Sequence, residues 1–314
     1  MDENKKIKFS DIFPIVLMGG LFVIIQGLSL LLVTPFYTAG MQAFPNVNDP
    51  LNLAYIFLIL LSVTLIILLI VKYWKKKAIQ IILLGAIGYT VFFAFFLPLF
   101  NIFLPDTDIS LWLSLILAAL STVILLIALI KYPEWYVIDI CGIMVGASAI
   151  AIFGISLGIF LVIILLIGLA IYDAISVYKT KHMIDLADAV MDLKLPVLLV
   201  VPKIRHYSLI KETKSLKEKL KDGEERDAFF MGLGDVVMPG ILVAAAYHFI
   251  EKDGLLVALS VMIGTLVGFV ILMSFVIKGK PQAGLPCLGG GAILGYILSS
   301  YILFGKLVGL TFFT

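Results

Sequence analysis

A chain of 314 residues that is 62% hydrophobic and only 14% charged cannot fold as a water-soluble globule, because it has too little polar surface to cover an apolar interior. A net charge of +2, with basic residues interleaved with acids, gives no basic patch for a nucleic acid, so no nucleic-acid partner is expected. Two cysteines, Cys141 and Cys287, exclude a disulfide-rich scaffold and read as small packing residues.

Apolar runs long enough to cross about 30 Å of hydrocarbon recur along the chain. They predict spans at 12–33, 53–71, 78–98, 110–130, 136–153, 155–177, 229–249, 255–277 and 284–304. The expected fold is all-α: a multi-pass integral protein of the cell membrane, a polytopic bundle of about nine transmembrane helices with lipid as its surroundings. The fifth and sixth spans are the least separated. Only Gly154, Ser156 and Gly158 punctuate a run too long for one crossing.

Charge placement orients the bundle. Lys5, Lys6 and Lys8 precede the first span, Lys72 and Lys75–Lys77 follow the second, and Lys131 follows the fourth. Eleven basic residues lie between Lys179 and Arg226, and Lys278 and Lys280 follow the eighth span, whereas the other faces carry only Lys252 and Lys306. The positive-inside rule then puts the N-terminus in the cytoplasm and the C-terminus outside. Residues 1–11 lead into a full-length span without a small-residue cleavage site, which predicts a retained first helix.

The expected division is an N-terminal six-helix part (1–177), a charged cytoplasmic loop (178–228) and a C-terminal three-helix part (229–314). In the loop, Met183, Leu186, Ala187 and Val190 fall at helical spacing. The β-branched run bracketed by Pro196 and Pro202 predicts a short extended segment, a candidate to receive an unwound peptide by strand addition. Lys211–Asp227 alternates Lys and Glu with few apolar anchors and reads as a solvated helix or a linker.

Two aspartates break the apolar pattern: Asp173 in the sixth span and Asp235 in the seventh. An ionisable residue inside a bilayer marks a function by default. Asp173 lies roughly 9 Å before Lys179, and Asp235 roughly 12 Å after Asp227, at the helical rise per residue. A chain that leaves the membrane after one and returns before the other sets them at similar depth. Two carboxyls in one low-dielectric site share a proton and can activate a water. Gly232 and Gly234, flanking Leu233, let another backbone approach Asp235, and Pro239 frees the Asp235 carbonyl and predicts a kink there. Pro286 and Gly289–Gly291 predict irregular backbone at the start of the last span.

These features resemble the intramembrane aspartyl proteases of the presenilin and signal peptide peptidase family. Tyr172-Asp173 matches its first motif, Gly232-Leu233-Gly234-Asp235 its second, and Pro286-Cys287-Leu288 its Pro-Ala-Leu, with Cys287 in place of alanine. The resemblance implies a stand-alone prokaryotic or archaeal homologue that cleaves transmembrane segments of membrane proteins. It implies Asp173 and Asp235 as the catalytic pair, and Tyr172, Gly232, Leu233, Gly234, Pro286, Cys287 and Leu288 as residues shaping the substrate site. Val236–Gly240 is more similar to signal peptide peptidase; Met183, Leu186, Ala187 and Pro196, and the orientation, are more similar to presenilin. Phe230 departs from the lysine that presenilins carry, so no charged contact to a substrate is carried over to it. No cofactor or metal is expected, and self-association into a homo-oligomer is left open.

Other chemistries compete. Two carboxylates near glycine- and proline-broken helices also describe an ion- or solute-coupled transporter, although no inverted repeat is visible. His182, His206 and His248 are scattered and no His-Glu-x-x-His occurs, which disfavours a zinc protease. Gly154-Ile-Ser156-Leu-Gly158 fits a nucleophile elbow, with His248 near the same face. The strand–turn–helix context it needs is absent, and small residues at a tight turn explain it better.

Overall fold

The computed structural model describes residues 9–73, 76–100, 108–180, 196, 198–203, 207–209, 228–277 and 282–310. Nine α-helices form the described part: α1 (Phe9–Thr38), α2 (Leu51–Tyr73), α3 (Lys76–Pro98), α4 (Asp108–Lys131), α5 (Trp135–Ser156), α6 (Ile159–Ile175), α7 (Leu233–Phe249), α8 (Gly254–Ile277) and α9 (Gly284–Phe304). Seven are long and apolar enough to cross a membrane by length and composition. Helices suit this sequence because hydrocarbon offers no partner for backbone N–H and C=O groups, which must be satisfied within the segment. The sequence-predicted helices Met183–Leu193 and Lys211–Asp227 lie outside the described residues.

The expected break between the fifth and sixth spans falls at Leu157-Gly158, where Leu157 turns extended. The loop after α1 clamps this corner. The Gly158 N–H donates to the Val47 carbonyl at 2.9 Å, and a side chain at Gly158 would collide with the Asn48 amide. The Ser156 hydroxyl accepts from the Ala43 N–H at 2.8 Å and donates to the Ile152 carbonyl at 2.5 Å. Ser156 is thus a buried corner anchor, while the His248 ring packs against Tyr37 and Phe249. The nucleophile-elbow reading ends there.

Helix α7 is the hub, packed against α1, α5, α6, α8 and α9, with Ile241–Ala246 wholly enclosed. Helix α4 is its opposite: Ile109, Trp112, Ile116, Leu120, Ile124 and Ile127 are exposed, an apolar surface suited to lipid. Helices α8 and α9 meet backbone to backbone. A Cβ on Gly264 or Gly291 would strike the other's carbonyl, and one on Gly268 would strike the Cys287 carbonyl. Small residues four apart on both helices allow this approach, the packing mode that replaces hydrophobic driving force inside lipid.

Two sequence expectations need correction. The run 229–249 is not one helix. Ala228–Gly232 forms strand β2, antiparallel to β1 (Leu198–Pro202), with Leu198 opposite Gly232 and Val200 opposite Phe230. The β-branched run of β1 supplies a ladder partner for the aromatic β2, and the helix starts only after Gly232. The second correction concerns Pro286 and Gly289–Gly291, which lie in unbroken helix. Pro286 occupies the first turn of α9, where its missing N–H would have had no intrahelical partner, and Gly291 is taken up by close packing against Gly264 of α8.

Candidate active site

Each aspartate sits at a helix end for a local reason. Asp173 lies in the last turn of α6, which loosens into a π-helical turn over Ser176–Thr180. It is buried, at 8% exposure, whereas its neighbour Tyr172 is 70% exposed. Asp235 lies in the first turn of α7, three residues after the extended Gly232 that precedes the helix. An acid there faces the positive end of the helix dipole.

The motif around Asp235 divides its labour. A Cβ on Gly232 would lie 3.3 Å from Asp235 Oδ2, so the missing side chain lets the carboxylate fold back over the helix start. Nothing lies within 4 Å of the Cβ position of Gly234, which leaves that flank of Asp235 open. Leu233 points the other way, into α5, where the Cβ positions of Gly142 and Gly146 are 4.0 and 3.1 Å from its Cδ1. The leucine anchors the turn and the glycines clear it.

The two carboxylates meet at the start of α9. The Leu285 N–H donates to Asp173 Oδ2 at 3.0 Å. The Cβ position of the preceding Gly284 lies 3.5 Å from the Asp235 carboxyl carbon and from Oδ2. The acids therefore flank one dipeptide, Gly284-Leu285. The N-termini of both α7 and α9 converge here, giving a partly positive frame for developing negative charge.

An apolar groove of about 330 Å³ leads away from this point between α6 and α9, lined by residues including Leu166, Ala170, Ala174, Pro286, Gly289 and Ile293. Small side chains on both walls keep it open. Pro286 thus borders the groove, while Leu288 is fully buried in the core and the Cys287 carbonyl abuts Gly268. Of the sequence-predicted residues, Asp173, Asp235, Gly232 and Gly234 are brought together, Leu233 supports them from behind, and Tyr172 lies at the surface.

Comparison with known proteins adds independent findings. The family model described as signal-peptide peptidase, presenilin aspartyl protease matches residues 19–305. The chain belongs to this family. A solved structure of a presenilin family intramembrane aspartate protease in a C222 crystal form is 32% identical, covers 92% of this chain and 99% of its own, and superposes with a TM-score of 0.71. Another in a P2 form is 34% identical, covers 91% of this chain and 96% of its own, with a TM-score of 0.66. No curated protein matches the chain. The protein is an intramembrane aspartyl protease, a multi-pass integral membrane protein, and the transporter alternative finds no support in these comparisons.

Sequence reasoning about this protease missed Gly284 and Leu285, whose contribution comes from the backbone. The only signal was a glycine just ahead of the Pro286 motif, which marks a helix start without saying what approaches it. It also missed Asp139, a buried carboxylate in the first turns of α5.

Proposed function

We propose that this protease hydrolyses peptide bonds within transmembrane segments of membrane proteins, with Asp173 and Asp235 activating one water between them. The observation that carries this reading is the convergence of both carboxylates on Gly284-Leu285. One carboxylate takes a proton from the water while the other, protonated, polarises the scissile carbonyl. The resulting gem-diol collapses as the acid protonates the leaving nitrogen, and the pair exchanges roles over the cycle. The helix N-termini of α7 and α9 stabilise the charge that develops on the tetrahedral carbon's oxygens. All of these groups come from one chain, so the chemistry requires no second copy.

A substrate helix hides its amides in internal hydrogen bonds and must unwind to be cut. The apolar groove between α6 and α9 suits the flanking helical part of the substrate, and the open flank at Gly234 suits its extended part. Gly232, Gly234 and Pro286 border this path, and Leu233, Cys287 and Leu288 support it from the packed side. The deciding experiment is incubation of purified protein with a transmembrane peptide in detergent; an absence of cleavage products under conditions that keep the protein folded counts against the reading.

Orientation follows from charge. Epitope tags placed near Lys214 and after Thr314 are expected to show opposite accessibility in sealed cells, with the former cytoplasmic. Equal accessibility would overturn the topology. With both aspartates nearer the cytoplasmic face, cuts are expected in the inner half of substrate helices whose N-terminus lies outside. Mass spectrometry of product ends checks this, and cuts clustered at the outer interface contradict it.

A further inference from the structure

Asp139 is 5% exposed on α5, and its Oδ1 accepts a hydrogen bond from the Val200 N–H of β1 at 2.9 Å. A buried carboxylate inside a membrane bundle is expensive to keep, and a lone core-packing role would be filled better by an apolar residue. On the same helix, Gly142 makes room for Leu199 of β1 and, with Gly146, for Leu233. Asp139, Gly142 and Gly146 thus form one seat for the β1–β2 pair and the turn into α7.

The direction of this bond decides which sheet edge is open. Because the Val200 N–H points to α5, it points away from β2. By the alternation of an antiparallel ladder, the N–H and C=O of the opposing Phe230 then point away from β1. The outer edge of β1 is capped by Asp139 and packed on α5, so an extended peptide can add to the sheet only along β2. That strand runs through Gly232 directly into the turn bearing Asp235. A one-residue slip in the pairing would reverse which groups of Phe230 face outward.

We propose that Asp139 is a positioning residue that locks the register of the β1–β2 pair, and so sets which substrate bond lies between Asp173 and Asp235. The proposal rests on the protease reading. It acts through backbone geometry, so what matters is a hydrogen-bond acceptor at that point in α5.

The test compares wild type, Asp139→Asn, Asp139→Leu and Val200→Pro on one transmembrane peptide in detergent, reading kcat, KM and product ends by mass spectrometry. Asp139→Leu is expected to lower kcat about tenfold or more, the scale of one lost charge-assisted hydrogen bond, and to scatter the cuts over neighbouring bonds. Asp139→Asn keeps an acceptor oxygen and is expected to retain the wild-type cut. Val200→Pro removes the donor and leaves the carboxylate, so it should scatter the cuts as Asp139→Leu does; it also supplies the answer if Asp139→Leu fails to fold. Unchanged product ends in either of these variants overturn the proposal, as does Asp139→Asn scattering cuts as badly as Asp139→Leu. If wild type itself leaves the peptide intact, the protease reading falls and this proposal with it; a cleaving wild type with indifferent variants sinks this proposal alone.

Discussion

Asp173→Asn and Asp235→Asn are each expected to lower peptide-bond hydrolysis by about a thousandfold or more while leaving the protein folded, in line with general acid–base contributions and loss of the shared water. Asparagine preserves the size of each side chain and removes only the group that exchanges a proton. At position 173 its amide oxygen still accepts from the Leu285 N–H, so the anchoring of α9 against α6 is retained. Residues that act as a unit are not additive, and the double variant should be no worse than either single one. Cleavage of a transmembrane peptide followed by mass spectrometry gives the rates, and a melting curve in detergent verifies the fold. Near-normal cleavage by either variant, with the same product ends, rules out the paired mechanism.

Leu285→Pro is expected to cost roughly 10- to 100-fold in kcat, because a hydrogen bond to a charged acceptor contributes about 1.5–3 kcal/mol. The position makes the test selective. Leu285 lies in the first turn of α9, where an N–H has no intrahelical partner, so proline removes the donor to Asp173 without breaking the helical ladder. Leu285→Ala retains the N–H and reports the loss of the side chain alone; it is expected to stay within about threefold of wild type, as for a partly exposed apolar residue outside the core. Equal losses in the two variants would show that the side chain, rather than the backbone donor, matters. A proline variant with full activity would remove α9 from the working site.

The sequence alone determined the solvent, the number of helices and both acids. Apolar runs of spanning length admit one main solution in lipid, since backbone groups there must be satisfied internally, and the described chain accordingly shows nine helices. A carboxylate in such a run stands out because nothing else in the composition excuses it, and Asp173 and Asp235 both border Gly284-Leu285. The β-branched run between prolines also announced its extended state, realised as β1. The tertiary structure decided what backbone atoms do. The sequence carries no mark that the Leu285 N–H reaches Asp173 or that Gly284 lies against Asp235, because any residue type brings an N–H and only the packing of α9 aims it. Likewise 229–232 reads as the start of an apolar span by hydropathy, and becomes a strand because β1, some thirty residues earlier, offers a ladder that a helix there would forfeit. The glycines after Pro286 look like helix breakers in one dimension. In three, Gly291 lets α9 lie against the backbone of α8, while Gly289 and Gly290 line the groove beside α6.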